Sequence, residues 1–186
     1  MGKTSEKGKS AKNPKTKKTG SLWLALGCIV LGMVAGVLIG VIFSKERPAA
    51  QKVFAVEDLW ITLTEDFQAF ENERFTGVLI NNDVSITFLK EPFQAVPGSE
   101  ALSLEEYGHL VIGENGITGT MLCTVDGLTY FEFQRENQET GTATACFAAV
   151  YKTADAFWLL QFTTVPADYS RLQPYLEAWA RTVDFE

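Results

Sequence analysis

Alternating apolar and polar positions divide the second half of the chain into short strands. From residue 120 onward the pattern predicts four strands, at residues 120–125, 128–135, 143–152 and 157–164. Apolar side chains recur there with the period of two that a pleated strand requires. Residues 143–151 (ATACFAAVY) are apolar on both faces, so we expect a central strand that is covered on both sides. Asp126-Gly127 predicts a tight hairpin, because glycine accepts a positive φ.

The part of the chain from residue 54 to residue 119 is read in the same way. Three further strands are predicted at residues 58–67, 76–80 and 84–90. Ser103 followed by Glu106 matches a capping box, which predicts a short helix over residues 103–110.

The end of the chain has a helical period instead. An apolar stripe with spacings of four, three and four predicts a helix from about residue 167 to 181 that packs on the sheet; its members are Leu172, Leu176, Trp179 and Val183. Pro174 is expected in the first turn of this helix or at a break after a lead-in turn. Together the elements predict an α+β fold, with helices packed on a largely antiparallel sheet.

Residues 22–43 form a run of 22 residues without a charge. As a helix this run would be about 33 Å long, enough to cross a hydrocarbon core of about 30 Å. Residues 1–20 carry seven lysines and a single acid, and cytoplasmic flanks hold the excess of basic residues. We therefore expect one transmembrane helix in the cytoplasmic membrane, with the N-terminus inside. A cleaved signal peptide and a lipoprotein signal at Cys28 fit the length of the run less well.

The anchor divides the chain into four segments. We expect a disordered basic cytoplasmic tail at residues 1–21, the transmembrane helix at 22–43, a stalk at 44–53 and one extracytoplasmic domain at 54–186. The lysines of the tail should be attracted to anionic lipids. From Pro48 onward 21 acids stand against seven basic residues, and so acidic a domain is not expected to bind nucleic acid.

Four segments of the outer region resemble PsbP-like domains, taken broadly to include the bacterial extracytoplasmic relatives of the oxygen-evolving accessory protein. They are ITLTEDF at 61–67, VSITFLKEPF at 84–93, SLEEY at 103–107 and the closing stretch 157–185. The resemblance covers about residues 54–186. It implies an αβα sandwich around an antiparallel sheet and a binding or assembly role outside the cytoplasmic membrane. These segments are packing patterns, so no functional residue is carried over.

The sequence offers few groups for catalysis. His109 is the sole histidine, which excludes a metal site of several histidines, and no nucleophile elbow, phosphate loop or Cys-x-x-Cys is present. The glycines of residues 113–119 precede a strand and are read as a loop. His109 with Cys123 or Cys146 could in principle pair a base with a nucleophile, but a surface histidine and two buried thiols are favoured. We expect no enzymatic activity and no cofactor.

The two outer cysteines are expected to remain free. Cys123 and Cys146 fall on predicted next-but-one strands, about 9–10 Å apart by sheet spacing, which exceeds the reach of a disulfide. Four acids surround one predicted loop and could attract a hard cation, although the regular calcium loop is missing; they are Glu65, Asp66, Glu71 and Glu73. Solvated carboxylates are the favoured interpretation.

Two functions remain in competition at this point. The first is a membrane-anchored, non-enzymatic domain that binds a partner in the cell envelope or assists assembly. The alternative is a sensor of a small ligand or cation, with a pocket between the sheet and a helix. Several aromatic side chains alternate along the predicted strands. We expect them to pack in the core, and lining a ligand pocket is the less favoured role; they include Phe131, Phe133, Phe157, Trp158 and Phe162.

Gly32, Gly36 and Gly40 repeat every four residues within the predicted anchor. This spacing places them on one helix face, where the missing side chains allow a second helix to approach closely. The stripe predicts self-association or pairing with a partner helix.

Gly36→Ile should weaken this association most, because Gly36 belongs to both overlapping Gly-x-x-x-Gly pairs. Leu38→Ile lies off the stripe and serves as the matched control. Crosslinking of the full chain in membranes measures the effect. An unchanged yield of crosslinked dimer for Gly36→Ile would show that the glycines are not an interface.

Overall fold

The computed structural model describes residues 50–136 and 141–186, so the predicted tail, anchor and glycine stripe, and most of the stalk, lie outside the described residues. The described ranges contain ten strands and two α-helices. The strands are β1 (Gln51–Val56), β2 (Leu59–Thr64), β3 (Gln68–Ala69), β4 (Gly77–Ile80), β5 (Ser85–Pro92), β6 (Cys123–Val125), β7 (Leu128–Glu136), β8 (Ala143–Lys152), β9 (Ala156–Thr164) and β10 (Asp184–Phe185). The helices are α1 (Leu104–Glu114) and α2 (Pro166–Ala180). Neither of these two helices has both the length and the apolar character needed to cross a membrane.

Seven strands form the main sheet, in the order β3-β4-β5-β9-β8-β7-β6, and every neighbouring pair is antiparallel. β8 lies inside the sheet, and residues 145–150 are all buried, so the prediction of a strand covered on both faces is confirmed. The hairpin at Asp126-Gly127 is also confirmed, since both residues have a positive φ, of 48° and 82°.

A layer of structure covers each face of the main sheet. α1 packs on one face, where Tyr107 and Val111 join the core around Phe131 and Phe157. α2 packs on the opposite face with Leu172 and Leu176. A helix therefore lies on each side of the sheet, as the resemblance implied.

A second sheet, which the sequence did not predict, shares the α2 side. It has three strands in the order β1-β2-β10. Its inward side chains Leu59, Ile61 and Leu63 are fully buried in the same core as α2.

Three strands in the structure were missed. β1 pairs along its whole length with β2, so the last three residues of the predicted stalk belong to the folded domain. β3 lies in the region predicted as an acidic loop, and β10 in the closing tail. The last two contain only two residues each and are defined by their pairing, which a sequence period cannot reveal.

Both helices differ in detail from their predictions. The capping box of α1 is confirmed, with Glu106 N donating to Ser103 Oγ at 3.1 Å and Ser103 N donating to Glu106 Oε2 at 2.7 Å. The helix continues to Glu114, beyond the predicted end at residue 110. The expectation for Pro174 was wrong, because Pro174 lies in the middle of a continuous α2. Ser170 and Pro174 are both exposed, so water can satisfy the Ser170 carbonyl that the proline leaves without a donor.

Lys90 joins β5 to two turns of the fold. Its Nζ lies 2.9 Å from Asp58 Oδ1 in the β1–β2 turn and 3.3 Å from Asp155 Oδ2 in the β8–β9 turn. The hydrogen bond to Asp58 is the main cause that raises the pKa of Lys90. The small sheet is thereby fixed to β5 of the main sheet by charge as well as by packing.

Gly77→Ala should destabilise the fold by about 1–3 kcal/mol, the usual cost of overpacking. A Cβ at Gly77 would lie 2.6 Å from Val56 Cγ1, and the short branched side chain of valine has little freedom to move away. Gly113→Ala is the matched control: its Cβ meets nothing within 4 Å, and alanine favours a helix by up to about 1 kcal/mol. Urea unfolding measures both variants. Equal midpoints for Gly77→Ala and the unmodified protein would contradict the packing of β1 on β4.

Candidate functional site

A pocket lies where the chain passes from β5 to α1. After Pro92 the chain makes two 3₁₀ turns, Phe93–Ala95 and Ser99–Ala101, before α1 begins. Gly98 permits the second turn with a φ of 92°. We call residues 93–102 the crossing segment. A cavity of about 20 Å³ remains between this segment, α1 and the sheet, and it is large enough for one water-sized group.

The walls of this pocket are apolar, and its polar groups are few. Pro92, Val96, Leu102, Leu110 and Phe157 provide the apolar walls. Glu91 at the end of β5, Tyr107 on α1 and Ser99 in the crossing segment also line it, but nearly all of the lining surface is apolar.

Tyr107 is fixed in place by its ring. The ring stacks on Phe157 with the centroids 4.1 Å apart and the planes 2° from parallel, and only 3% of the residue is exposed. The hydroxyl has no hydrogen-bond partner among the described residues, even though it is buried. A buried hydroxyl without a partner costs free energy.

The electrostatics of the pocket are set by Glu91. Burial raises the pKa of the Glu91 carboxyl, and the neighbouring Tyr107 hydroxyl only partly offsets this shift. Burial and the negative charge of Glu91 together raise the pKa of Tyr107 well above its usual value, so the phenol keeps its proton. No ion pair within residues 50–136 and 141–186 includes Glu91.

Lys152 lies beside the pocket but is held away from its carboxylate. Its Nζ donates to Glu100 O at 2.8 Å and to Leu102 O at 2.7 Å, and it lies 5.4 Å from the centroid of the Phe157 ring. The ammonium group therefore braces the crossing segment on β8. The lining of the pocket is mainly apolar, which suits a small apolar group.

The structure separates the groups that were considered for nucleophilic catalysis. His109 is exposed, with Nε2 3.9 Å from Glu105 Oε1. Cys146 is buried beside Thr163, and burial raises the pKa of its thiol, which disfavours a reactive thiolate. Cys123 is only half-buried, which corrects the expectation of two buried thiols.

The two thiols are free, as predicted. Cys123 pairs with Tyr130, and Tyr130 pairs with Ala149, so these three side chains share one face of the sheet. Cys146 lies three positions from Ala149 along β8. Because side chains alternate between faces, the two sulfur atoms lie on opposite sides of the sheet.

The four acids around the predicted loop are all exposed. Asp66 accepts a hydrogen bond from Asn81 Nδ2 at 3.0 Å, while Glu71 and Glu73 follow β3. Within the described part of the chain no group of three or more His, Cys, Asp or Glu side chains could hold a metal ion. Gly32, Gly36 and Gly40 lie outside this part, so the helix interface stays a prediction.

The small sheet presents a second candidate surface on its outward side. Val53 and Trp60 are 53% and 42% exposed, and Ala55, the strand partner of Trp60, is also exposed. We call these three residues the outer sheet face. Exposed apolar side chains that adjoin one another are typical of contact surfaces.

A pocket between the sheet and a helix was predicted as an alternative, with Phe157 among its aromatics, but the sequence did not point to Glu91 or Tyr107. The predicted strand ended at residue 90, one position before Glu91, whereas β5 continues to Pro92. Tyr107 was placed on the apolar side of a helix, and this assignment is confirmed. The signal that was available is a charged residue followed by proline at the end of a mainly apolar strand, Glu91-Pro92. Its meaning depends on Tyr107 and Phe157, which are distant in sequence.

Two solved structures show the fold to which this domain is similar. The solution structure of cyanobacterial PsbP (CyanoP) from Synechocystis sp. PCC 6803 has 10% sequence identity and a TM-score of 0.50, over 84% of this chain and 99% of that chain. The crystal structure of the Ran-binding protein Mog1p from Saccharomyces cerevisiae has 13% identity and a TM-score of 0.50, over 74% and 96%. No protein-family model and no curated protein sequence matches the chain. The domain has the PsbP-like fold, and at these identities the likeness is one of fold alone.

Tyr107→Phe should leave the stability nearly unchanged, because the hydroxyl that it removes has no partner. Tyr151→Phe is the matched control: Tyr151 donates to Ala180 O at 2.8 Å, and its loss should cost about 1–3 kcal/mol through the carbonyl left unpaired. Thermal unfolding of both variants gives the comparison. A loss for Tyr107→Phe as large as that for Tyr151→Phe would mean that the hydroxyl is bonded after all.

Proposed function

We propose that the chain is a single-pass protein of the cytoplasmic membrane that presents a non-enzymatic binding or assembly domain on the outer side. The observation that supports binding is the outer sheet face, where Val53, Ala55 and Trp60 are exposed together. A tryptophan on an exposed strand is costly to leave in water and is a frequent anchor of protein interfaces.

The length of the tether limits where the partner can be. Residues 44–50 separate the predicted span from β1, and seven extended residues reach about 25 Å. The outer sheet face, which begins at Val53, therefore stays close to the bilayer. Its partner is a membrane protein or a protein held at the membrane surface, and nucleic acid is disfavoured by the acidic domain.

The fold is consistent with binding. The yeast protein with this fold is a Ran-binding protein, so the same architecture presents a protein-binding surface there. We extend only that general capacity to this chain, because the likeness is limited to the fold.

A second candidate function is supported by the pocket between β5 and α1. An apolar cavity between a sheet and a helix, lined by Val96, Leu110 and Phe157, is what a sensor of a small ligand would present. The two candidates use different surfaces and can be tested separately.

The main proposal is tested by photo-crosslinking the full chain in intact cells. A photoreactive residue at Ala55 should give a discrete adduct with another protein. The same residue at Glu105, whose side chain is 75% exposed on α1, is the control and should give none. Identical adduct patterns from both positions, or no adduct from Ala55, would count against the outer sheet face as a binding surface.

The orientation is checked on the same cells. Protease added to spheroplasts should digest the domain after residue 43 and spare the lysine-rich tail. Digestion of the tail with protection of the domain would overturn the proposed topology.

A further inference from the structure

We propose that the outer sheet face binds a second copy of this chain, through antiparallel pairing of β1 with the β1 of that copy. The inference rests on the proposed function, because it names the partner of the same surface. The two three-stranded sheets then form one continuous sheet, related by a two-fold axis that passes between the two Val53 residues.

The first argument is the open edge of β1. In the part of the chain that is described, the other strands at sheet edges are short: β3 and β10 have two residues each and β6 has three, whereas β1 has six. A short edge strand offers little backbone to another chain, and a long one is a template for pairing. The side chains of Gln51, Val53 and Ala55 are all exposed, so no described residue covers this edge.

The backbone of β1 is free at alternate residues. In an antiparallel pair every second residue exchanges hydrogen bonds with its partner, and the residues between direct their N–H and C=O groups away from it. Glu65 N donates to Ala50 O at 2.8 Å, so the residues of β1 that bond to β2 are the even-numbered ones. Gln51, Val53 and Ala55 therefore present their N–H and C=O groups at the open edge, where a second β1 can bind them.

The second argument is the register that these groups select. When Val53 pairs with Val53 of the second copy, Gln51 pairs with Ala55 of that copy, so each free residue meets a free residue. Lys52 then lies opposite Phe54 of the second copy and not opposite another lysine. Its Nζ already lies 4.9 Å from the centroid of the Phe54 ring in its own chain. Like charges directly opposite each other destabilise a strand pair, and this register has none along β1.

The third argument is the apolar side chain at the centre of the pair. Val53 is 53% exposed in the described domain. In this register the two Val53 side chains adjoin each other on the same face of the continuous sheet. Contact between two β-branched side chains stabilises a strand pair and removes apolar surface from water.

The fourth argument is the chain that precedes β1. Residues 1–49 lie outside the described residues and join the domain at residue 50. In a pair centred on Val53, residue 50 of one copy lies six positions from residue 50 of the other along the strands, about 20 Å at about 3.4 Å per residue. Each stalk of seven extended residues reaches about 25 Å. Two chains with the proposed anchor in one bilayer can therefore pair in this way.

The test is disulfide crosslinking of the full chain in membranes. Alanine replaces Cys28, Cys123 and Cys146, and Val53→Cys is added. We expect mild oxidation to shift this variant to twice the chain mass, since a hydrogen-bonded antiparallel pair holds its Cα atoms about 5.5 Å apart, within disulfide reach. Asp184→Cys, exposed on the opposite edge of the same sheet, is the matched control and should stay monomeric. No dimer from Val53→Cys, or equal amounts from both variants, would overturn the proposal.

Two singly substituted chains with tags of different size test the register. Gln51→Cys should not crosslink to itself, because the two copies of residue 51 lie four positions apart along the strands, about 14 Å. The same holds for Ala55→Cys. When the two chains are co-expressed, we expect a mixed disulfide between them. A dimer of either chain with itself in the same amount as the mixed dimer would overturn the antiparallel register and the proposal with it.

Val53→Pro tests whether the backbone edge is needed. Proline has no N–H, but it is tolerated on an edge strand where that N–H faces away from the sheet. Val53→Pro, added to both tagged chains, should therefore keep a cooperative thermal transition and lose the mixed disulfide. A chain that unfolds cooperatively and still forms this disulfide would contradict pairing through the edge.

The outcomes also separate this inference from the proposed function. A photo-adduct of Ala55 with a different protein, together with no disulfide from Val53→Cys, would overturn the second copy as the partner and keep the outer sheet face as a binding surface. An adduct within one chain, of unchanged mass, would assign the edge to that chain's own N-terminal residues and overturn the proposal. An adduct of twice the chain mass supports both, and neither an adduct nor a disulfide would overturn both.

Discussion

Two strands with both faces buried determine the rest of this domain. In β8 the residues from 145 to 150 are all inaccessible to water, and β9 is nearly as deeply buried. Their backbone groups can be satisfied only within the sheet, so both need a paired strand on each side. Their side chains must also be covered on each side, which requires two separate layers. α1 provides one of these layers, and α2 with the small sheet provides the other.

The pocket arises where this layering ends. β5 belongs to the main sheet, whereas α1 packs on one face of that sheet, so the chain has to leave the plane of the sheet to reach the start of the helix. The crossing segment does this with short 3₁₀ turns, which pack less completely than a regular helix or strand. Glu91 is the last charged position of β5 before the crossing, so its carboxylate is left between the layers. The candidate site is thus a consequence of the topology and needs no dedicated motif.

The parts of the fold that could be predicted are those fixed by local chemistry. The apolar pattern of β8, the glycine of the β6–β7 hairpin and the Ser103 cap each follow from neighbouring residues. The strands that were missed depend on partners that are distant in sequence. Gln51 and Lys52 make β1 look like a polar stalk, and its strand character comes from pairing with β2.

Two further features could not be read from local sequence. Pro174 is tolerated because that side of α2 faces water, which is a property of the packing and not of the proline. The pocket depends on Glu91, Tyr107 and Phe157, which only the finished fold brings together.

The small sheet takes strands from both ends of the domain, which bears on the order of events during synthesis. Thr62 N donates to Thr182 Oγ1 across 120 residues of sequence, and β10 pairs with β2 a few residues further on. While the polypeptide is still emerging from the ribosome or a translocation channel, β1 and β2 can form a hairpin, but one edge of it stays open. An open strand edge is prone to pair with other chains. The emergence of β10 closes that edge, so the time between making β2 and making β10 is when the nascent chain is most exposed to misassembly.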